Sequence, residues 1–166
     1  MAIRFNMNTQ KAIECVLWLI QRGESNMYNI WKMLYVAEKY SLNKYGGPIT
    51  GDDYFAMDFG TVPRWLYDAT KIKQEEISFY RENNLLRAKR PPEEGYLADF
   101  NIEALEHGFK EYAGLDFEAV KKKNHEDSAW KKNYTPNTST FIPFEDIIEE
   151  DWVKKDLDGV AYNMVL

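Results

Sequence analysis

From Asn26 to Tyr45 the chain runs without a glycine or proline, and then meets Gly46-Gly47-Pro48. A helix over that span is closed by the breaker that follows it. Ile30, Met33, Leu34, Ala37 and Ser41 form one stripe along it, and Tyr28, Trp31, Tyr35 and Leu42 a second. Asn29, Lys32, Val36, Lys39 and Asn43 lie between them, and Val36 is not polar. A helix apolar over so much of its circumference is either central or covered by a partner. Buried aromatics usually belong to a core, so the reading is a central helix. The fold class that follows is mainly α, a compact multi-helix domain.

Other elements arrange themselves around it. Ala12, Ile13, Val16, Leu17 and Ile20 recur at helical spacing between Thr9, read as an N-cap, and Gly23, read as a stop. Thr50-Gly51-Asp52-Asp53 matches a helix-start pattern, which predicts a short helix through Tyr54, Phe55 and Met57 ending near Gly60. Pro63, with Thr61 before it as a cap, suits the first turn of another helix burying Trp65, Leu66 and Ala69. Leu85–Lys89 and Tyr96–Phe100 flank Arg-Pro-Pro-Glu-Glu-Gly and predict one small β-hairpin around residues 85–100. Asn101 and Asp116 are expected to cap helices over about 102–113 and 117–123. Residues 143–157 read as one amphipathic helix with Phe144, Ile147, Ile148 and Trp152 on a single side. The expected domain covers residues 1–152, followed by a C-terminal tail, 153–166.

At 166 residues the chain has material for one domain with a real core. No apolar run approaches the roughly 20 residues that cross a bilayer, and no signal-peptide core opens the sequence. Cys15 is the single cysteine, which implies a reducing, cytoplasmic setting. Net charge is −6, and the segment from Thr135 to Leu166 holds seven acids against two lysines. Acidic surface disfavours phosphate backbones and favours basic partners.

The chemistry-bearing inventory is thin. His107 and His125 are the only histidines, and no metal, nucleotide or nucleophile motif is present. No enzymatic activity, metal or cofactor is expected. Asp52-Asp53 and His125-Glu126-Asp127 carry acids or a histidine, but read first as caps and helix ends. A winged-helix reader of DNA is an alternative, with Arg87, Lys89 and Arg90 on the wing and a second basic patch at Lys121–Lys123, Lys131 and Lys132. The acidic balance, with a pI of about 5.1, does not favour it.

One long stretch resembles a known family. Lys32, Leu34, Tyr35, Ala37 and Glu38 follow a K-x-L-Y-f-A-[DE] pattern, with Val36 at the f position; Tyr45, Gly46, Pro48, Ile49, Thr50, Gly51 and Asp52 follow Y-G-x-P-I-T-G-D. Ala56, Gly60, Val62, Pro63, Leu66 and Tyr67 follow A-x-x-x-G-P-V-P-x-x-L-Y, with Thr61 where the family often has proline. His125-Glu126-Asp127 and Trp130 match a later histidine–acid–tryptophan step. These residues resemble the Panacea domain, the SocA-like antitoxin family of bacteria and their phages. The resemblance implies a mostly helical antitoxin that neutralises a cognate protein toxin, encoded by the adjacent gene, through direct binding. Some relatives are instead adaptors that deliver a toxin to a protease. Lys32, Gly51, Asp52, Gly60, Pro63, His125 and Trp130 are then scaffold. Tyr28, Trp31, Tyr35, Trp152 and Tyr162 are the expected partner-binding residues, the first three on condition that their stripe is exposed.

Overall fold

The computed structural model describes residues 3–73 and 77–157. Helix α1 (Thr9–Arg22) leads into the long helix α2 (Met27–Tyr45). The N-cap of α1 is Asn8, whose side chain accepts from Lys11 N at 3.0 Å, one residue before the expected Thr9. Asn26 caps α2 by accepting from Asn29 N, and Gly46, in the left-handed region, closes it.

Both stripes of α2 are buried apart from Tyr28, which is partly so, and α2 is the central element. Ile30, Met33, Leu34 and Ala37 pack in a core shared with Leu17 and Leu19 of α1 and Ala104 and Leu105 of helix α4 (Asp99–Tyr112). Tyr35 and Leu42 face a second core built from Tyr54, Ile142, Phe144, Ile147, Val153 and Leu157. Close approach of α2 and α4 depends on Gly108, where a Cβ would lie 2.3 Å from the Met33 carbonyl oxygen.

The segment after α2 is extended, not helical. Strand β1 (Tyr54–Met57) pairs antiparallel with β2 (Gly60–Pro63) on one side and with β5 (Thr140–Ile142) on the other. The helix-start pattern at Thr50 is overridden because Thr50 is held by α2, and β5 supplies the ladder partner from far along the chain. Pro63 then precedes the short helix α3 (Arg64–Tyr67), which runs into a π-helical turn at Asp68–Ile72. Thr61 lies within β2 and is not a cap.

The expected strand at 85–89 is present, but its partner precedes it and is not the segment 96–100. Strands β3 (Phe79–Glu82) and β4 (Leu85–Ala88) pair through the two-residue turn Asn83-Asn84. Asn83, at φ 56°, takes the left-handed turn position that asparagine tolerates. Residues 96–100 instead finish a 3-10 turn and begin α4. Asn101 is inside α4, where its side chain accepts from Ala98 N at 2.9 Å. Helix α5 (Phe117–Asn124) is capped by Asp116 as expected. Helix α6 (Ser128–Asn133) follows.

The expected helix over residues 143–157 is broken into α7 (Phe144–Ile147) and α8 (Asp151–Leu157). Asn43 of α2 makes the break. Its Oδ1 accepts from Glu149 N at 2.6 Å and Glu150 N at 3.0 Å, and its Nδ2 donates to Ile147 O at 3.1 Å. These bonds satisfy backbone groups at the two helix ends. The break also turns α8, so Val153 and Leu157 are buried while Trp152 is 48% exposed.

Candidate functional site

Two polar knots hold the family motif against α2. In the first, the buried Glu38 carboxylate accepts from Ile49 N, from Thr50 N at 3.1 Å and from Thr50 Oγ1 at 2.5 Å. Burial raises the Glu38 pKa, and these donors work against that rise. Asp52, next in the turn, accepts from Trp65 N at 3.1 Å and so caps the start of α3. Burial pushes Asp52 up to about 7. A Cβ on Gly51 would sit 2.6 Å from the Asn6 carbonyl oxygen, so this turn lets the N-terminal segment cross it.

The second knot is Asp127. It caps α6 by accepting from Trp130 N at 3.0 Å, and also accepts from the Tyr35 hydroxyl at 2.7 Å and Lys39 Nζ at 2.9 Å. The histidine–acid–tryptophan step is therefore a clasp between α6 and α2. His125 stacks on Trp130 with centroids 3.9 Å apart, and Trp130 donates its indole N–H to Met57 O. Burial, followed by the charge of Lys121, lowers the His125 pKa.

Between the knots runs a buried partition. Asn124 accepts from Thr61 N at 2.7 Å and donates to Thr61 Oγ1 and to the Tyr112 hydroxyl. Gly60 has φ 120°, and a Cβ there would fall 1.9 Å from Asn124 Oδ1. The Thr61 N–H is one that proline cannot supply, so the departure from the family pattern is tied to Asn124. Lys32 Nζ, fully buried, donates to Thr61 O at 3.2 Å.

On one side of this partition lies a groove of about 740 Å³ between α2, α4, α5 and α8. Its lining holds five carboxylates, Glu111, Glu126, Asp127, Glu149 and Glu150, against the ammonium groups of Lys39, Lys44 and Lys123. Each lysine already meets an acid: Lys39 meets Asp127 and Glu149, Lys44 meets Glu103, and Lys123 meets Glu111. The groove is thus acidic after its internal pairs are counted. Tyr40 stacks on His107 in its wall at 4.4 Å, and Trp152 stands at the lip against Gly46.

On the other side is a cavity of about 450 Å³. Tyr28, Trp31, Phe59 and Tyr67 supply its aromatic lining, and Lys32 and Lys71 its positive charge.

The expected partner-binding residues divide between these two sites. Tyr35 and Trp152 line the acidic groove, and Tyr28 and Trp31 line the cavity. The exposed stripe that Trp31 and Tyr35 require is not found: they are 2% and 1% exposed, because the two cores close over them. They form floors, not protruding anchors. Trp152, 48% exposed at the lip of the groove, is the most open member of this set among the described residues. Tyr162 lies outside the described residues. Asn124 and Lys71 were not singled out from sequence, where both sit among polar and basic residues that look like solvated helix faces. Lys39 appeared there only as a polar position between stripes.

Among the described residues no helix is long and apolar enough to cross a membrane. Comparison with curated proteins and with solved structures found no match. A family model described as antitoxin SocA-like, Panacea domain, matches residues 30–131, from the first turn of α2 into α6. That span contains Glu38 with its turn, the Gly60–Asn124 partition and the Asp127 clasp, the contacts that fix both sites. The chain belongs to the SocA-like antitoxin family and carries its Panacea domain.

Proposed function

We propose that this protein is an antitoxin that neutralises a cognate protein toxin by binding it in the acidic groove, without a reaction of its own. The observation that carries this reading is the exposed indole of Trp152 beside a groove whose carboxylates outnumber its ammonium groups. Tryptophan is the strongest single anchor type at interfaces, and a surrounding field of one sign speeds encounter with a partner of the other. A basic segment with an apolar side chain suits this geometry. Tyr40, Tyr112 and the Tyr35 hydroxyl give the groove a wall already held by hydrogen bonds, so little has to be ordered on binding.

The DNA-binding alternative has less support. Arg90 is committed to the buried Glu14 through bonds of 2.8 and 2.7 Å, and Arg87 faces Glu82 at 3.5 Å. In the second basic patch, Lys123 and Lys132 are paired with Glu111 and Asp146.

The test is colony counting. The adjacent open reading frame is expressed alone and together with this protein. Killing by the neighbour and rescue by co-expression are expected. Rescue that persists without the host's proteases supports occlusion over delivery to a protease. A harmless neighbour on both sides would remove the support for a toxin pair.

A further inference from the structure

The cavity opposite the groove has a chemistry of its own. A lysine is almost never fully buried unless it is paired. Lys32 is 2% exposed, yet the acceptor of its ammonium group is the Thr61 carbonyl alone among the described residues. The charge it feels most strongly is another cation, Lys71, and burial with that neighbour lowers its pKa to about 7. Trp31, beside it in the lining, carries a buried indole N–H with no hydrogen-bond partner. Lys71 Nζ rides over the rings of Tyr28 and Tyr67 at 5.4 and 5.7 Å from their centroids and donates to the Tyr28 hydroxyl at 3.4 Å. A buried indole N–H left unsatisfied, and two lysines in one lining, are costly for a fold that has no use for them.

The carboxylate in this lining, Asp58, does not answer them. Its Oδ1 accepts from the Tyr134 hydroxyl at 2.7 Å and from Asn137 N at 2.9 Å. The rest of the lining is aromatic at Tyr28, Trp31, Phe59 and Tyr67, apolar at Met57 and Val62, and polar at Asn137, Thr138 and Ser139. At about 450 Å³ the space is of the size that holds a small molecule.

The geometry points to a binding site for a nucleoside monophosphate, its phosphate between Lys32 and Lys71 and its base against the aromatic side of the lining, where Phe59 presents the exposed ring. An anion beside Lys32 favours its protonated form, and two ammonium groups then match the double charge of a phosphate monoester, with an indole N–H as a further donor. Ring faces take a base by stacking. This site is separate from the acidic groove, so it gives the protein a small-molecule ligand besides its partner.

The experiment is a fluorescence titration of the full chain with AMP, GMP, CMP and UMP, with inorganic phosphate and adenosine as comparison probes. At least one mononucleotide is expected to bind saturably, with both comparison probes much weaker. Lys71→Gln, at a half-buried position, is expected to weaken binding about tenfold, the loss of one charge-assisted bond, with circular dichroism unchanged. Lys32→Met is expected to weaken it at least as much, with circular dichroism unchanged. Trp152→Ala, in the groove, is expected to leave it as in the wild type. Absence of saturation by all four nucleotides overturns the proposal. So does equal affinity in the wild type and Lys71→Gln, or phosphate binding as tightly as the nucleotide, which would mark an adventitious ion only.

Discussion

Replacing Gly108 by alanine tests the close approach of α4 to α2. The added Cβ would lie 2.3 Å from the Met33 carbonyl oxygen, 3.2 Å from its carbon and 3.3 Å from Ala37 N. Ordinary contact begins at 3.4 Å, so α4 must retreat from α2 by about 1 Å. The obstacle is helical backbone, which has no rotamer to change. Overpacking of this kind costs about 1–3 kcal/mol, and a rigid neighbour places it near the upper figure. Alanine returns about 1 kcal/mol of helix propensity over glycine. The expected net loss is about 2 kcal/mol, or a fall in Tm of about 4–8 °C for a chain of this length. Thermal and urea melts followed by circular dichroism read it. Gly95→Ala is the control, since a Cβ there meets nothing within 4 Å. A Gly108→Ala protein as stable as the wild type, or more so, would refute the packing argument.

Three further outcomes follow from the buried polar groups and the two tryptophans. Thr61→Pro removes the N–H that donates to Asn124 Oδ1 in a buried partition, and is expected to cost about 1–3 kcal/mol in a urea melt; no loss would show that Asn124 finds another donor. Asp52 has a folded pKa of about 7, above its ordinary 3.8, so the folded state keeps a proton that the unfolded chain has released between those values. Its contribution to stability therefore falls as pH rises through that window. Asp52→Asn is expected to gain on the wild type from pH 4 to 7 and to hold the gain above it; a pH-independent difference would contradict this. Trp31→Ala, at a buried site, is expected to cost about 3–5 kcal/mol, whereas Trp152→Ala should leave the melt almost unmoved.

What was legible in the sequence, and what was not, follows the range of the deciding contacts. Helices α1, α2 and α5 are set by local periodicity and by signals within a few residues, so the start of α2 near Asn26, the stop at Gly23 and the cap at Asp116 are legible. The segment at Thr50 carried a genuine helix-start pattern. Glu38, from the preceding helix, takes the Thr50 hydroxyl and amide, and Phe141 pairs with Phe55 across most of the domain. Nothing local announces either. The strand at 85–89 is legible, but its partner is not, because Pro91-Pro92 is a louder turn signal than Asn83-Asn84, although an asparagine at a left-handed position is the better one. The split between α7 and α8 rests on Asn43, a residue whose place between the stripes of α2 gave no hint of a distant task. The motif residues were legible as scaffold, but the groove and the cavity were not, since each gathers side chains from several elements.

The central claim is that the groove beside Trp152 holds the toxin. The most direct measurement is calorimetric titration of the purified toxin into the wild-type protein and into Trp152→Ala. Loss of an interface anchor is worth about 2 kcal/mol or more, so the variant should bind at least about thirtyfold more weakly. Its melting temperature should match the wild type. Equal affinity for both proteins, with the fold intact, would place the toxin elsewhere on the molecule and contradict the account.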